Sequence, residues 1–311
     1  MGTSITNAIA DYLTECQTLQ PKTYQWYEQK LAVFSEWCAA NDINLADMNN
    51  RTVTRFQDHL SRTRSPRKNT TLSSYTVHGY VQVVKGFANW CAQDDEYEGH
   101  VSEKAVKRIK PPKVDVVIIE TFTQDHIKEL YKASQQEYNQ HLRDRDELIL
   151  DLFLNTGIRS NELCTLTVGN IYLHPEDAHI KVYGKGRKWR EVGLPNEVRR
   201  RLRRYLEAYR KEAGNDEPAF ASRYYQPLTI KGIDMLFDRL ARWGKIEGVR
   251  CSAHTCRHTF AVNYLRNGGD IYRLSILMGH SSVKVTEVYL KTFQAEEARK
   301  TPNTTRRRTS R

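Results

Sequence analysis

"HTCRHTFAV", residues 254–262, sets His254, Cys256, Arg257 and His258 within five positions, with Cys251 just upstream. Two readings compete, and each implies a different fold. If Cys251, His254, Cys256 and His258 hold zinc, the stretch is a metal-stapled knuckle; His254 and His258 are four apart and would share one helix face. If the stretch opens a helix, the cysteines are packing residues, and His254 and Arg257 are a polar pair one turn apart. The zinc reading lacks a second ligand pair at ribbon or finger spacing, and HExxH is absent. The helical reading ends well, because "RNGG" supplies a glycine stop at Gly268. No metal is expected here.

The same logic extends outward. "LILDLFL" (148–154) is apolar nearly all round, which suits the core helix of a domain and is far too short to span a bilayer. Gly157 can end that helix in a left-handed conformation, as Gly279 can end a later one. "NIYL", "HIKVYG" and "WREVGLP" are short β-type runs separated by "HPEDA" and "KGRK", so they predict a small antiparallel sheet. A helix is expected from about Thr123. Further upstream, "RIKPPKVD" (108–115) is Pro-rich and basic and reads as a linker. Before it run three helical stripes: Tyr27, Leu31, Phe34 and Cys38, with Thr23 as a candidate N-cap; Val53, Phe56 and Leu60; and Val77, Tyr80, Val84, Phe87 and Cys91.

These patterns predict a mainly α protein with a small antiparallel β-sheet. Residues 1–110 form a helical bundle, 111–118 a linker and 119–300 a mixed α/β domain. The basic, low-complexity stretch 301–311 is expected to be a disordered tail.

Composition agrees. The 311 residues leave room for about two domains, and 39% apolar with 27% charged side chains is ordinary for a soluble protein. No signal segment opens the chain and the six cysteines follow no paired framework, so a reducing cytoplasmic setting is expected. The net charge of +11 points to a polyanion. That signal is uneven: residues 1–110 carry 13 basic and 12 acidic side chains, while the last thirteen carry six basic and none acidic. Local clusters must therefore identify the partner. "SRTRSPRKNTTLSS" (61–74) holds Arg62, Arg64, Arg67 and Lys68 without an acid, and reads equally as a solvated loop or a phosphate-contacting one.

Four further stretches carry chemistry: "TGIRSNEL" (156–163), "YGKGRKWREV" (183–192), the opening "HTCRHTF", and "MGHSSVKVTEVY" (278–289). Singly each has a bland reading; "GKG", for instance, is a plain hairpin turn. Their order and spacing resemble the tyrosine recombinases, the family of phage-type integrases, Xer recombinases and Cre. That family shows "TGxRxxEL", a hairpin lysine in "GKGxKxR", "HxLRHTFAT" and "LGHSSxxxTxxY". Here the first two boxes are met, Cys256 replaces a leucine in the third, and Met278 replaces one in the fourth. The resemblance spans the whole C-terminal half, and the helical N-terminal half looks like the family's SAM-like core-binding domain, in the simple Xer- or Cre-like layout.

The resemblance implies a C-shaped clamp on double-stranded DNA and cleavage through a 3′-phosphotyrosyl link. Tyr289 would be the nucleophile. Arg159 and Arg257 would offer forked donors to the non-bridging phosphate oxygens, a task for which lysine is poorly shaped. His254 and His280 would add hydrogen bonds, with His254 the residue expected to help remove the tyrosine proton. Lys185, at the hairpin tip, would protonate the leaving 5′ oxygen. Glu162 and His258 would support these groups, and Lys188 joins the basic loop residues as a DNA-contact candidate. Neither cofactor nor metal is implied, because the arginines do the work of metal ions.

Two other activities fit parts of the pattern: a type IB topoisomerase-like nicking–closing enzyme, and a non-catalytic DNA-binding relative. The full set of polar positions favours a recombinase working on paired sites, as a homotetramer on DNA with weaker association without it. "TEVYLKTFQAEEARK" could extend past Tyr289 as a helix and dock on a neighbouring subunit through Leu290 and Phe293.

Overall fold

The structure, a computed structural model, describes residues 4–65, 69–115, 119–184 and 188–300. Arg67, Lys68, Lys185 and the 301–311 tail lie outside the described residues. The chain divides into two compact units, Met1–Val117 and Ile118–Arg311.

The first unit is helical: α1 (Ile5–Glu15), α2 (Pro21–Ala39), α3 (Asn50–Arg62), α4 (Ser74–Cys91) and the short α5 (Glu103–Lys107). All three apolar stripes face its core, where Leu31, Phe34, Phe56, Leu60, Val84, Phe87 and Cys91 are buried together. The first helix boundary differs from expectation. Thr23 is inside α2, which starts at Pro21 with Gln20 as its N-cap. A proline at the first helical position has its φ preset and lacks only an N–H that would be unpaired anyway, so it outcompetes a threonine cap two residues later. The caps of α3 and α4 follow the usual rule, with the Asn49 side chain accepting from the Arg51 N–H and Ser73 from the Thr76 N–H. The stretch read as a linker is tied down over its first part. His78 Nδ1 stands 2.7 Å from the Pro112 carbonyl, and the Ser74 hydroxyl donates to the Asp115 carboxylate at 2.6 Å.

The second unit opens with α6 (Gln124–Ser134), capped by Thr123, and α7 (Gln140–Thr156), whose 148–153 stretch is buried all round. The short α8 (Ser160–Cys164) follows, then strands β1 (Ile171–Tyr172), β2 (His179–Gly184) and β3 (Lys188–Gly193). They form an antiparallel sheet in the order β1-β2-β3, with His179 opposite Gly193 and Gly184 opposite Lys188. Ile180, Val182 and Val192 face the core while Lys181, Tyr183 and Trp189 face outward, the period-two pattern of a half-buried sheet. Helices α9 (Asn196–Tyr209), α10 (Ile230–Trp243), α11 (Ala253–Arg266), α12 (Ile271–Met278) and α13 (Val283–Lys300) complete the unit.

Two features lay beyond the apolar pattern. Helix α7 carries buried charges: Arg145 and Arg239 both bond Asp146, which is 1% exposed. Helix α13 uses its stripe within its own unit. Leu290 and Phe293 pack with Ala261, Leu265 and Leu274, and Glu296 pairs with Arg266. Part of the apolar face expected to seek a neighbour is thus covered within the unit, with Leu290 and Phe293 left half-buried. Among the described residues no helix is long and apolar enough to cross a membrane.

Candidate active site

The site begins where α7 stops. Gly157 adopts φ 62°, and a Cβ there would strike the Phe260 ring of α11. Only glycine meets both demands. The reversal sets Arg159 at the N-cap of α8, where its backbone N–H donates to Glu162 Oε2 at 2.8 Å and its Nη1 to Oε1 at 2.9 Å. Arg159 Nη2 donates to the Gly279 carbonyl at 3.0 Å. From β3, Arg190 donates Nη1 and Nη2 to the same carboxylate at 2.6 and 2.8 Å, and Nε to the Leu277 carbonyl at 2.9 Å. Burial alone would push the Glu162 carboxyl up. The hydrogen bonds from Arg190 and Arg159 outweigh it and hold the group below its ordinary range.

Helix α11 supplies the second set. Its N-cap Ser252 accepts from the Thr255 N–H, so His254, Arg257 and His258 fall in the opening turns. Arg257 is 4% exposed and donates to the carbonyls of Gly157 and Met278. Its Nη2 also lies 3.0 Å from His280 Nε2. A guanidinium only donates, so His280 Nε2 must accept and the ring proton sits on Nδ1, which donates to Thr286 Oγ1 at 2.8 Å. Burial, with Arg159 adding repulsion, pushes Arg257 down to about 10. Burial and the nearby Arg257, Arg159 and Arg190 push His280 down to about 4.

Tyr289, on α13, meets both sets. Its hydroxyl lies 3.1 Å from His258 Nδ1, and its ring stacks on His280 with centroids 6.2 Å apart. The phenol is 4% exposed; burial raises its pKa, while Arg257 and Arg159 pull it back. His258 is pushed down to about 4, by burial first and then by His254 and Arg257. His254 sits one step away, its ring edge-on to His258 at 5.6 Å. His254 is the residue expected to help remove the phenol proton; the imidazole within hydrogen-bond reach of the hydroxyl is His258, one helical turn later.

The structure thus brings together Arg159, Glu162, His254, Arg257, His258, His280 and Tyr289. Lys185 lies outside the described residues. Arg190 and Thr286 are additions that spacing alone did not single out, although Arg190 closes the "GKGRKWR" stretch and Thr286 stands three residues before Tyr289. Among the DNA-contact candidates, Arg62 makes an exposed pair with Asp58, Arg64 reaches Asn69 at 3.4 Å, and Lys188 is exposed at the start of β3. Exposed pairs of this kind hold a side chain weakly, so a phosphate can compete for it. Cys256 is fully buried in the core, and burial pushes its thiol up, as for a packing residue. Among the described residues no group of three or more His, Cys, Asp or Glu is placed to hold a metal.

Residues 120–296 match the phage integrase family, and residues 4–110 match the phage integrase SAM-like domain. The chain belongs to the phage integrase family. Tyrosine recombinase XerA of Thermococcus kodakarensis is 30% identical over 273 residues, which are 87% of this chain and 85% of that one. Among solved structures, the XerH site-specific recombinase in a post-cleavage complex with its difH substrate has a TM-score of 0.75 at 18% identity, over 94% of this chain and 83% of that one. A lambda integrase tetramer bound to a Holliday junction has a TM-score of 0.66 at 16% identity, over 93% and 77%. The fold is theirs, and the chain is a tyrosine-type site-specific recombinase of that family.

Proposed function

We propose that this recombinase cuts and rejoins double-stranded DNA through a covalent bond between Tyr289 and a 3′ phosphate. The observation that carries the reading is the setting of Tyr289, with His258 3.1 Å from its hydroxyl and with His280, itself in contact with Arg257, stacked on its ring. The phenol oxygen attacks phosphorus in line, the bond from phosphorus to the 5′ oxygen breaks, and the phenol proton passes to His258. Arg159 and Arg257 hold the non-bridging oxygens, aided by the exposed His254, while His280 orients Arg257 by accepting from its Nη2. Two of the five N–H groups of Arg159 are committed to Glu162 and Gly279, so others can turn to an oxyanion. Preorganised donors of this kind each lower a barrier by several kcal/mol, roughly 3–4 in measured cases.

A neutral imidazole near pKa 4 is a weak acceptor for a phenol proton. Burial is the main cause, and a bound phosphodiester works against the smaller one, because its negative charge offsets Arg257 and raises the imidazole. DNA therefore arms the base that it needs. It must also uncover the buried phenol before attack. Lys185 is assigned the protonation of the leaving 5′ oxygen on its motif alone. Rejoining reverses the steps with a 5′ hydroxyl as nucleophile, and the phosphotyrosyl bond conserves the energy, so no nucleotide cofactor is required. In this proposal Arg62, Arg64, Arg67, Lys68 and Lys188 contact phosphates, and a homotetramer assembles on paired sites. The lambda integrase tetramer on a junction supports that assembly.

The test uses a randomised duplex library with one nicked strand, so that cleavage releases a short oligonucleotide and traps the adduct. Protein is captured under denaturing conditions and the attached DNA sequenced. Wild type should yield enriched duplexes and Tyr289→Phe none. An adduct surviving in Tyr289→Phe, or none with wild type, overturns the assignment. Recovered sites that are resealed but never exchanged between two duplexes would move the chain to a nicking–closing activity.

A further inference from the structure

Arg190 lies beside the residues that hold phosphate in the proposed reaction, yet its own donors are taken up by protein acceptors. Its Nη1 and Nη2 both bond the Glu162 carboxylate, and its Nε holds the Leu277 carbonyl, close before Gly279 and His280. The backbone closes round this guanidinium: a Cβ built at Gly279 would stand 3.0 Å from Arg190 Nη1, and one at Gly184 would stand 3.2 Å from it. Glu162 is 2% exposed and is bonded by two arginines at once.

Charge explains why two are present. A buried carboxylate paired with Arg159 alone would make a neutral couple, and the field of Arg159 at a DNA phosphate would be largely cancelled. Adding Arg190 leaves the trio with one net positive charge, and Arg159 is its most exposed member, at 27% of its side chain against 13% for Arg190. The bidentate fork of Arg190 takes the carboxylate as its own partner, which a lysine ammonium would do less well.

We propose that Arg190 is a positioning residue for strand cleavage: it neutralises Glu162, so that Glu162 orients Arg159 without quenching its charge toward the scissile phosphate. The inference rests on the proposed reaction at Tyr289. A purely architectural Arg190 would tie β3 to α8 and α12 with no effect on Arg159's charge, and the two roles separate in a double-mutant cycle.

The experiment measures single-turnover adduct formation on a nicked duplex carrying the site recovered by trapping, with wild type, Arg190→Gln, Arg190→Lys, Glu162→Gln and the Arg190→Gln/Glu162→Gln double variant. Circular dichroism and DNA affinity are followed alongside. Arg190→Gln should slow cleavage about 10- to 100-fold with little change in affinity, the scale seen when a supporting partner is lost. In the Glu162→Gln background, where no carboxylate charge needs cancelling, the same change should cost less than about threefold. Arg190→Lys keeps the charge and should recover most of the rate lost in Arg190→Gln. Additive losses in the double variant, or a folded Arg190→Lys as slow as Arg190→Gln, would overturn the inference. Should Arg190→Gln fail to fold, Arg190→Lys is compared with wild type instead: a rate within about tenfold supports the inference, and a folded Arg190→Lys slowed further than that overturns it. Absence of a wild-type adduct instead defeats the reaction at Tyr289, and this inference with it.

Discussion

His258 and His254 show what one helical turn decides. Both stand in the stretch that suggested zinc, yet only His258 reaches the Tyr289 hydroxyl, at 3.1 Å. His258→Gln should therefore slow adduct formation by about 10²-fold or more, the low end for removing a positioned proton acceptor, and His254→Gln should act more on phosphate engagement. A His254→Gln variant that loses proton transfer while His258→Gln does not would reverse the assignment. A pH prediction follows from the same residues. His258 and His280 are depressed from the ordinary 6.5 to about 4. Between those limits the unfolded chain takes up protons that the folded one refuses. Stability is thus fully present above about pH 6.5 and is lost as pH falls toward 4. His258→Gln should flatten that acid limb by about one proton, read as the dependence of the thermal midpoint on pH. An unchanged slope would mean that the imidazole is not held neutral. Which imidazole faces the phenol was illegible in the sequence, because spacing places residues on a helix face without saying which neighbouring element stands opposite.

The elements were more legible than their contacts. Period-3.6 stripes and glycine stops marked the helices, and the β-type runs marked the hairpin, since these patterns record local burial. Gly157 illustrates both sides. Its left-handed role at the end of α7 follows from "NTGIR", but its close approach to Phe260 is a tertiary fact, as is the hydrogen bond that its carbonyl accepts from Arg257. Gly157→Ala should therefore destabilise twice over, by about 1–2 kcal/mol for the left-handed backbone and by about 1–3 kcal/mol for overpacking against the ring. The thermal midpoint should fall by several degrees. Because the displaced loop carries Arg159 and holds Arg257, adduct formation should drop further than stability alone explains when both are measured well below the melting range. Equal activity in folded Gly157→Ala protein would show that the loop tolerates the shift. Buried ionic contacts such as Arg145–Asp146 and Arg190–Glu162 escaped the apolar pattern for a plain reason: a charged residue scores as surface until its partner is seen.

At the scale of the whole molecule the question is where the positive charge acts. Of the +11, four arginines at 306, 307, 308 and 311 lie in the final eleven residues, which hold no acid, so removing 301–311 leaves +7. DNA affinity falls with salt because each neutralised phosphate releases counterions, with a slope in log–log form of about 0.9 per contact. If the tail contributes to the footprint on DNA, its removal should lower that slope by up to about 3–4, with the largest loss of affinity at low salt. If binding is carried by the loop arginines and the site itself, the slope should stay within about one unit and affinity should shift little. The helical unit is nearly neutral, with 13 basic and 12 acidic side chains in residues 1–110, so it cannot rely on bulk charge. We expect the truncated protein to keep its site preference while losing non-specific affinity, because phosphate contacts position a protein and base contacts specify the sequence. The decisive measurement is fluorescence anisotropy across a salt series, on the trapped site and on a scrambled duplex. A tail deletion that abolished discrimination between the two would place sequence reading, rather than charge, in those last eleven residues.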